Sequence, residues 1–147
     1  MGFTEAIRTC LQEKYATFQG RASRSEYWYF MLFCVLGYLV LGLGGTVLAG
    51  GFGQIDSGNF SYMAFMPVGL FFLAMFLPSL SVGVRRLHDR DMSGWWYLGF
   101  IVASNIPFVG IVVQIGWLVL NCLKGTEGPN RFGDDPLGAA NRAEVFS

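Results

Sequence analysis

The chain has 147 residues, 53% hydrophobic, 16% aromatic and only 14% charged, with ten basic residues balancing ten acidic ones. Soluble domains carry about 25% charge, and here residues 27–55, 57–84 and 92–123 contain no Asp, Glu, Lys or Arg. Apolar runs beyond about 18 residues are long enough to cross a bilayer, which excludes an ordinary soluble domain; the balanced charge excludes a nucleic-acid binder that works through net positive charge.

Taken in chain order, residues 1–26 hold seven charges before the first apolar run. A signal peptide would place its apolar stretch nearer the start, so the first run is expected to be an uncleaved transmembrane helix. Within residues 3–18, Phe3, Ile7, Cys10, Leu11, Tyr15 and Phe18 recur at helical spacing and form one apolar stripe. Such a helix either lies in the membrane interface or packs on the ends of the spans. Gly20 breaks the pattern, and Ser23-Arg24-Ser25-Glu26 has the form of a capping box, in which Ser and Glu side chains satisfy each other's backbone amides.

The first span is expected from Tyr27 to about Ala49, opening on Tyr27-Trp28-Tyr29 at the headgroup level. Gly42, Gly44, Gly45, Thr46 and Ala49 make a small-residue patch that would admit a neighbouring helix. Residues 50–60 are a Gly-rich turn carrying one charge, Asp56. The second span is expected over about Tyr62–Val84, with a kink near Pro67 or Pro78, and it ends on Arg85-Arg86, where the helix dipole favours cations.

The third run, 92–123, is too long for one rod. At 1.5 Å per residue it would measure about 48 Å against a hydrocarbon core of about 30 Å. Ser104-Asn105-Ile106-Pro107 is the natural break, because the residue before proline avoids helical angles. Trp95–Ile106 and Pro107–Leu123 then form a bent or re-entrant hairpin, with Trp95-Trp96-Tyr97 as an interfacial anchor. Four Lys or Arg precede the first span, none falls in 50–60, three fall in 85–91 and three follow residue 123. The positive-inside rule puts the three basic groups in the cytoplasm. The expected architecture is an all-α polytopic membrane protein: a cytoplasmic amphipathic segment (1–26), a membrane region of about four transmembrane or re-entrant helical segments (27–123) and a cytoplasmic tail (124–147), all one domain. Cys10, Cys34 and Cys122 are expected to be free thiols; scattered along the chain without a C-x-x-C pair, they and the single His are not expected to supply a structural zinc site, and no cofactor is expected.

Three polar motifs flank the spans. They are Phe18-Gln19-Gly20-Arg21-Ala22-Ser23-Arg24-Ser25-Glu26-Tyr27-Trp28, then Arg85-Arg86-Leu87-His88-Asp89-Arg90-Asp91-Met92-Ser93-Gly94-Trp95-Trp96, and finally Gly125-Thr126-Glu127-Gly128-Pro129-Asn130-Arg131-Phe132-Gly133-Asp134-Asp135-Pro136. In this order and around these spans they resemble the bacterial inner-membrane family called domain of unknown function 805, from about Phe3 to Pro136. The resemblance implies a multi-span inner-membrane protein and implies no activity.

The topology gathers the motifs at one face, so Arg21, Arg24, Arg85, Arg86, Arg90 and Arg131 are expected to meet Glu26, Asp89, Asp91, Asp134 and Asp135. Arginine forks match carboxylates bidentately, which supports an ion-pair network; the same forks suit an anionic lipid headgroup or an acidic protein partner. His88 and Asn130 complete this candidate site. The leading reading is a non-enzymatic membrane protein that binds lipid headgroups or a protein partner, with no nucleic acid and an open oligomeric state. A membrane-interface enzyme using His88 and Asp89, with Ser23 or Ser93 as nucleophile by residue type, is a second reading. Adjacent helical residues point about 100° apart, which argues against an oriented dyad. A small oligomeric transporter is the third, but only Ser79, Ser81, Asn105, Gln114 and Asn121 are polar at depth, and conduction paths usually carry an ionisable residue.

Overall fold

The structure is a computed structural model that describes residues 1–48 and 62–138, without the side chains of Leu48 and residues 62–64. It consists of α1 (Phe3–Arg8) extended by a π-helical turn (Thr9–Glu13), then α2 (Arg24–Leu48), α3 (Tyr62–His88), α4 (Trp95–Ser104) and α5 (Val109–Cys122). The all-α architecture expected from the sequence is observed. The Gly-rich turn at 50–60 and the tail beyond residue 138 lie outside the described residues.

α2 and α3 are long and apolar enough to cross a membrane. They pack antiparallel: Glu26 meets Arg85 at one end, and Phe71 touches Phe33 and Tyr38 further along. A Cβ on Gly37 would lie 2.4 Å from the Phe71 ring, so this glycine seats α3 on α2. Of the small-residue patch, Gly42 and Gly44 face open space, Gly45 is buried, and Ala49 lies outside the described residues. α3 runs unbroken through Pro67 and Pro78 and continues one turn past Val84 to His88.

The third run divides at the expected place. α4 and α5, 10 and 14 residues long, measure about 15 and 21 Å, each short of a full crossing of about 30 Å. Pro107-Phe108-Val109 closes the hairpin as a γ-turn, with Phe108 at φ 65° and the Val109 N–H donating to the Pro107 carbonyl at 2.8 Å. Gly110 lets the strands of the hairpin meet, since a Cβ there would lie 2.3 Å from the Ser104 carbonyl oxygen. Trp117 joins the hairpin to α2: its ring packs on Tyr97 and Phe100, and its Nε1–H donates to the Tyr27 hydroxyl at 3.0 Å.

The N-terminal helix is shorter than its stripe predicts. It ends at Glu13 rather than running to Phe18, because α3 captures the following backbone. The Ser81 hydroxyl donates to the Thr17 carbonyl at 2.6 Å, and the Tyr15 hydroxyl donates to the Ala74 carbonyl at 2.6 Å. The segment packs on the ends of the spans, and its buried face is Ala6, Thr9 and Cys10, leaving Phe3, Tyr15 and Phe18 exposed. Burial is inverted relative to a soluble protein: Arg85 and Arg86 are 0% exposed, while Val40, Val47 and Leu73 are each 68% exposed.

Candidate functional site

Two features meet at the shared end of α2 and α3: a buried knot of charges and, beside it, an open apolar groove. The knot begins where Gly20, at φ 83°, turns the chain so that Arg21 and Ala22 run against the end of α3. The Ala22 N–H donates to the Arg85 carbonyl at 3.0 Å. Ser23 then starts α2, its hydroxyl accepting from the Glu26 N–H at 3.2 Å. The reciprocal arm of the expected capping box is not made, because the Glu26 carboxylate is engaged by Arg85 and receives the Cys10 thiol.

Asp89 is the centre. One carboxylate oxygen receives Arg21 through Nε at 3.0 Å and Nη2 at 2.9 Å; the other receives Arg86. The Asp89 carbonyl accepts from the N–H and the hydroxyl of Thr126, at 2.8 and 3.0 Å. Gly125 allows this approach, since a Cβ there would lie 2.0 Å from the Asp89 carboxylate. Arg85 also donates to the Ser81 hydroxyl and the Cys10 sulfur, and several other guanidinium donors go to backbone carbonyls at helix and loop ends. Arg21 reaches Gly128 and Thr126, Arg86 reaches Asn121 and Leu123, and Arg90 reaches Lys124. Arg21, Glu26, Arg85, Arg86 and Asp89 are all at least 96% buried. Charges so deeply desolvated persist only when paired and hydrogen-bonded, and this set ties the N-terminal segment, α2, α3 and the C-terminal loop into one body.

The other expected residues are placed differently. Arg131 pairs with Asp91 at 3.1 Å on the exposed side. Arg24 meets no carboxylate among the described residues and donates weakly to the Cys122 carbonyl at 3.4 Å. Arg90 likewise takes a carbonyl, and Asp134 has no partner among the described residues. Asp135 accepts from the backbone N–H groups of Gly128 and Leu137; these two bonds hold its carboxyl below the usual carboxylate range. Asn130 donates to the His88 carbonyl at 2.9 Å. Of the arginines expected to meet this set of carboxylates, Arg21, Arg85, Arg86 and Arg131 do so, whereas Arg24 and Arg90 bond to carbonyls: helix-end carbonyls compete for guanidinium donors. Ser81, Asn121, Gly125 and Thr126 belong to the knot without having been singled out as site residues, because a hydroxyl or glycine has no charge to betray it.

His88 and Asp89 do not form a dyad. The His88 Nδ1–H donates to the Gly20 carbonyl at 3.1 Å, and the imidazole stacks flat on Phe132 with centroids 3.9 Å apart. Its other edge lines a groove of about 700 Å³ between α3, α4 and Phe18. Phe76, Leu80 and Val84 form one wall, and Tyr97, Leu98 and Ile101 form the other. Among the described residues no group of three or more His, Cys, Asp or Glu side chains is arranged to hold a metal ion.

A family model described as protein of unknown function (DUF805) matches residues 15–134. This chain belongs to the DUF805 family. The match takes in the whole knot from Arg21 to Thr126 and the groove beside it. Two relatives from Escherichia coli strain K12 are named inner membrane proteins. YhaH is 41% identical over 128 residues, covering 84% of this chain and 90% of that one, and YhaI is 38% identical over 136 residues, covering 88% and 93%. The uncharacterized protein YiiR of the same strain is 28% identical over 153 residues, covering 91% and 95%. No solved structure matches. With two long apolar helices and relatives named for the inner membrane, this DUF805 chain is a bacterial inner-membrane protein.

Proposed function

We propose that the protein is a non-enzymatic, multi-pass membrane protein with both termini in the cytoplasm, and that it binds a membrane lipid in the groove between α3 and α4. The carrying observation is the contrast between the two neighbouring features. The knot spends its buried guanidinium groups on Asp89, Glu26 and backbone carbonyls, which suits a latch better than a headgroup site. The groove is apolar along its walls and open, and a volume of about 700 Å³ falls within the roughly 300–1,000 Å³ of small-ligand sites. Catalysis by His88 and Asp89 lacks support, since the two side chains serve different partners. Transport lacks support because the charged residues lie at the helix ends.

The test is the lipid content of protein purified in mild detergent, measured by mass spectrometry. Wild type is expected to retain lipid in this groove, and Leu80→Trp, which fills it, is expected to retain less. Equal lipid content in a stably folded Leu80→Trp variant would refute this reading.

A further inference from the structure

Resting on the lipid-groove reading, we propose that the groove selects an uncharged, hydroxyl-bearing amphiphile, an acylglycerol, whose chain lies along α3 and whose hydroxyl donates to the Nε2 of His88. The groove has one polar end. Phe76, Leu80, Val84 and His88 recur every four residues along one face of α3, a stripe of about 18 Å from first to last. His88 and Ser93 lie together at the knot end of it. An acyl chain with its head at His88 therefore has the same polarity as the groove.

The chemistry of His88 decides which head. A carbonyl only accepts, so the bond to Gly20 places the imidazole proton on Nδ1, and the neutral ring presents a lone pair at Nε2. The ring is fixed by its stack on Phe132 and is 8% exposed. Nε2 has no hydrogen-bond partner among the described residues, and it lies 3.4 Å from the point a Cβ on Gly94 would occupy. That lone pair opens on the groove without a donor from the described residues, and a ligand hydroxyl would supply one. Ser93 accepts from the Trp95 N–H at 3.5 Å and keeps its own hydroxyl proton for a second contact.

A phosphate head would find the opposite. It brings acceptors to an acceptor, and no Lys or Arg lines the groove to receive it. Arg85 and Arg86 are closed inside the knot, and Arg131 is paired with Asp91. The anionic headgroup expected from the arginine count is thus disfavoured in this groove.

The experiment uses the full chain in phosphatidylcholine nanodiscs with two probes, a monoacylglycerol and a lysophosphatidic acid sharing the same diazirine-bearing chain. The acylglycerol is expected to label groove residues such as Leu80 and Leu98 about tenfold more, the effect of roughly one hydrogen bond gained and one repulsion avoided. His88→Phe preserves an aromatic stack on Phe132 and removes the acceptor, so it is expected to equalise the probes. Leu80→Trp, or Leu98→Trp from the opposite wall, is expected to block both. Equal labelling of wild type, or a preference for the phosphate, with both Trp variants still blocking would overturn the hydroxyl selection and leave the groove standing. Labelling indifferent to both Trp variants would overturn the groove as well.

Discussion

At Asp89 a single carboxylate separates two buried guanidinium groups, so its charge is the one the knot can least lose. Asp89→Asn is expected to cost about 3–5 kcal/mol, the range for breaking one side of a buried ion pair. Asp91→Asn, whose partner Arg131 is 61% exposed at the side chain, is expected to cost no more than about 1 kcal/mol. Thermal unfolding of the two variants in the same detergent checks the difference, and equal losses would remove Asp89 from its central place. Cys10 gives a second reading of the same body. Burial first, and the neighbouring Glu26 carboxylate second, push its thiol up to about 12. A thiol ionises near 9 once exposed, so docking of the N-terminal segment is fully supported below that pH and loses support as pH rises towards 12. At pH 8 maleimide is expected to modify exposed Cys122 and spare Cys10, with Cys10 becoming reactive only as the pH climbs past 9.

Among the elements, the hairpin was legible and the N-terminal helix only in part. Length against bilayer thickness favoured a fold-back in the 92–123 run, and Ser104-Asn105-Ile106-Pro107 offered a plausible break, which is where α4 ends. The stripe from Phe3 to Phe18 carried no such information about its end. That end is set by Ser81 and Tyr15 contacts with α3, which join residues more than 55 positions apart and leave no local periodic trace. The site was legible by its charges: Arg21, Glu26, Arg85, Arg86 and Asp89 come together, whereas among the described residues Arg24 and Arg90 find no carboxylate and Asp134 finds no cation. Carbonyl partners such as Asn121 and Leu123 are invisible in a sequence because every residue carries one. Glycines separate equally well at this scale. A methyl on Gly83 would lie 2.4 Å from the Tyr97 ring, whereas one on Gly42 meets nothing. Gly83→Ala is expected to destabilise by about 1–3 kcal/mol through overpacking of α4 on α3. Gly42→Ala is expected to be neutral or to gain up to about 1 kcal/mol of helix propensity. Thermal midpoints of the pair would show it, and a harmless Gly83→Ala would mean that Tyr97 does not seat α4.

For the whole molecule, the question is which side of the membrane the knot faces. Arg21, before α2, donates to carbonyls at Thr126 and Gly128, after α5, and to Asp89, after α3. These three stretches therefore share one level, and the chain must return to it after each excursion. α2 and α3 make one out-and-back pair. α4 and α5, about 15 and 21 Å long, make a shorter one whose two ends lie at that same level. That arrangement holds whether or not the hairpin tip reaches the far headgroups, so orientation depends only on where the basic residues lie. Residues 1–26, 85–91 and 124–147 carry four, three and three Lys or Arg, and the 50–60 loop carries none. By the positive-inside rule the knot is expected to face the cytoplasm. Alkaline phosphatase fused after Ser147 is then expected to be inactive, and the same enzyme inserted at Asp56 active. Activity at both positions would require the hairpin to cross an odd number of times, which the contact between Arg21 and Gly128 forbids. It would therefore refute the shared level of the two ends, and activity only after Ser147 would reverse the orientation while keeping the fold.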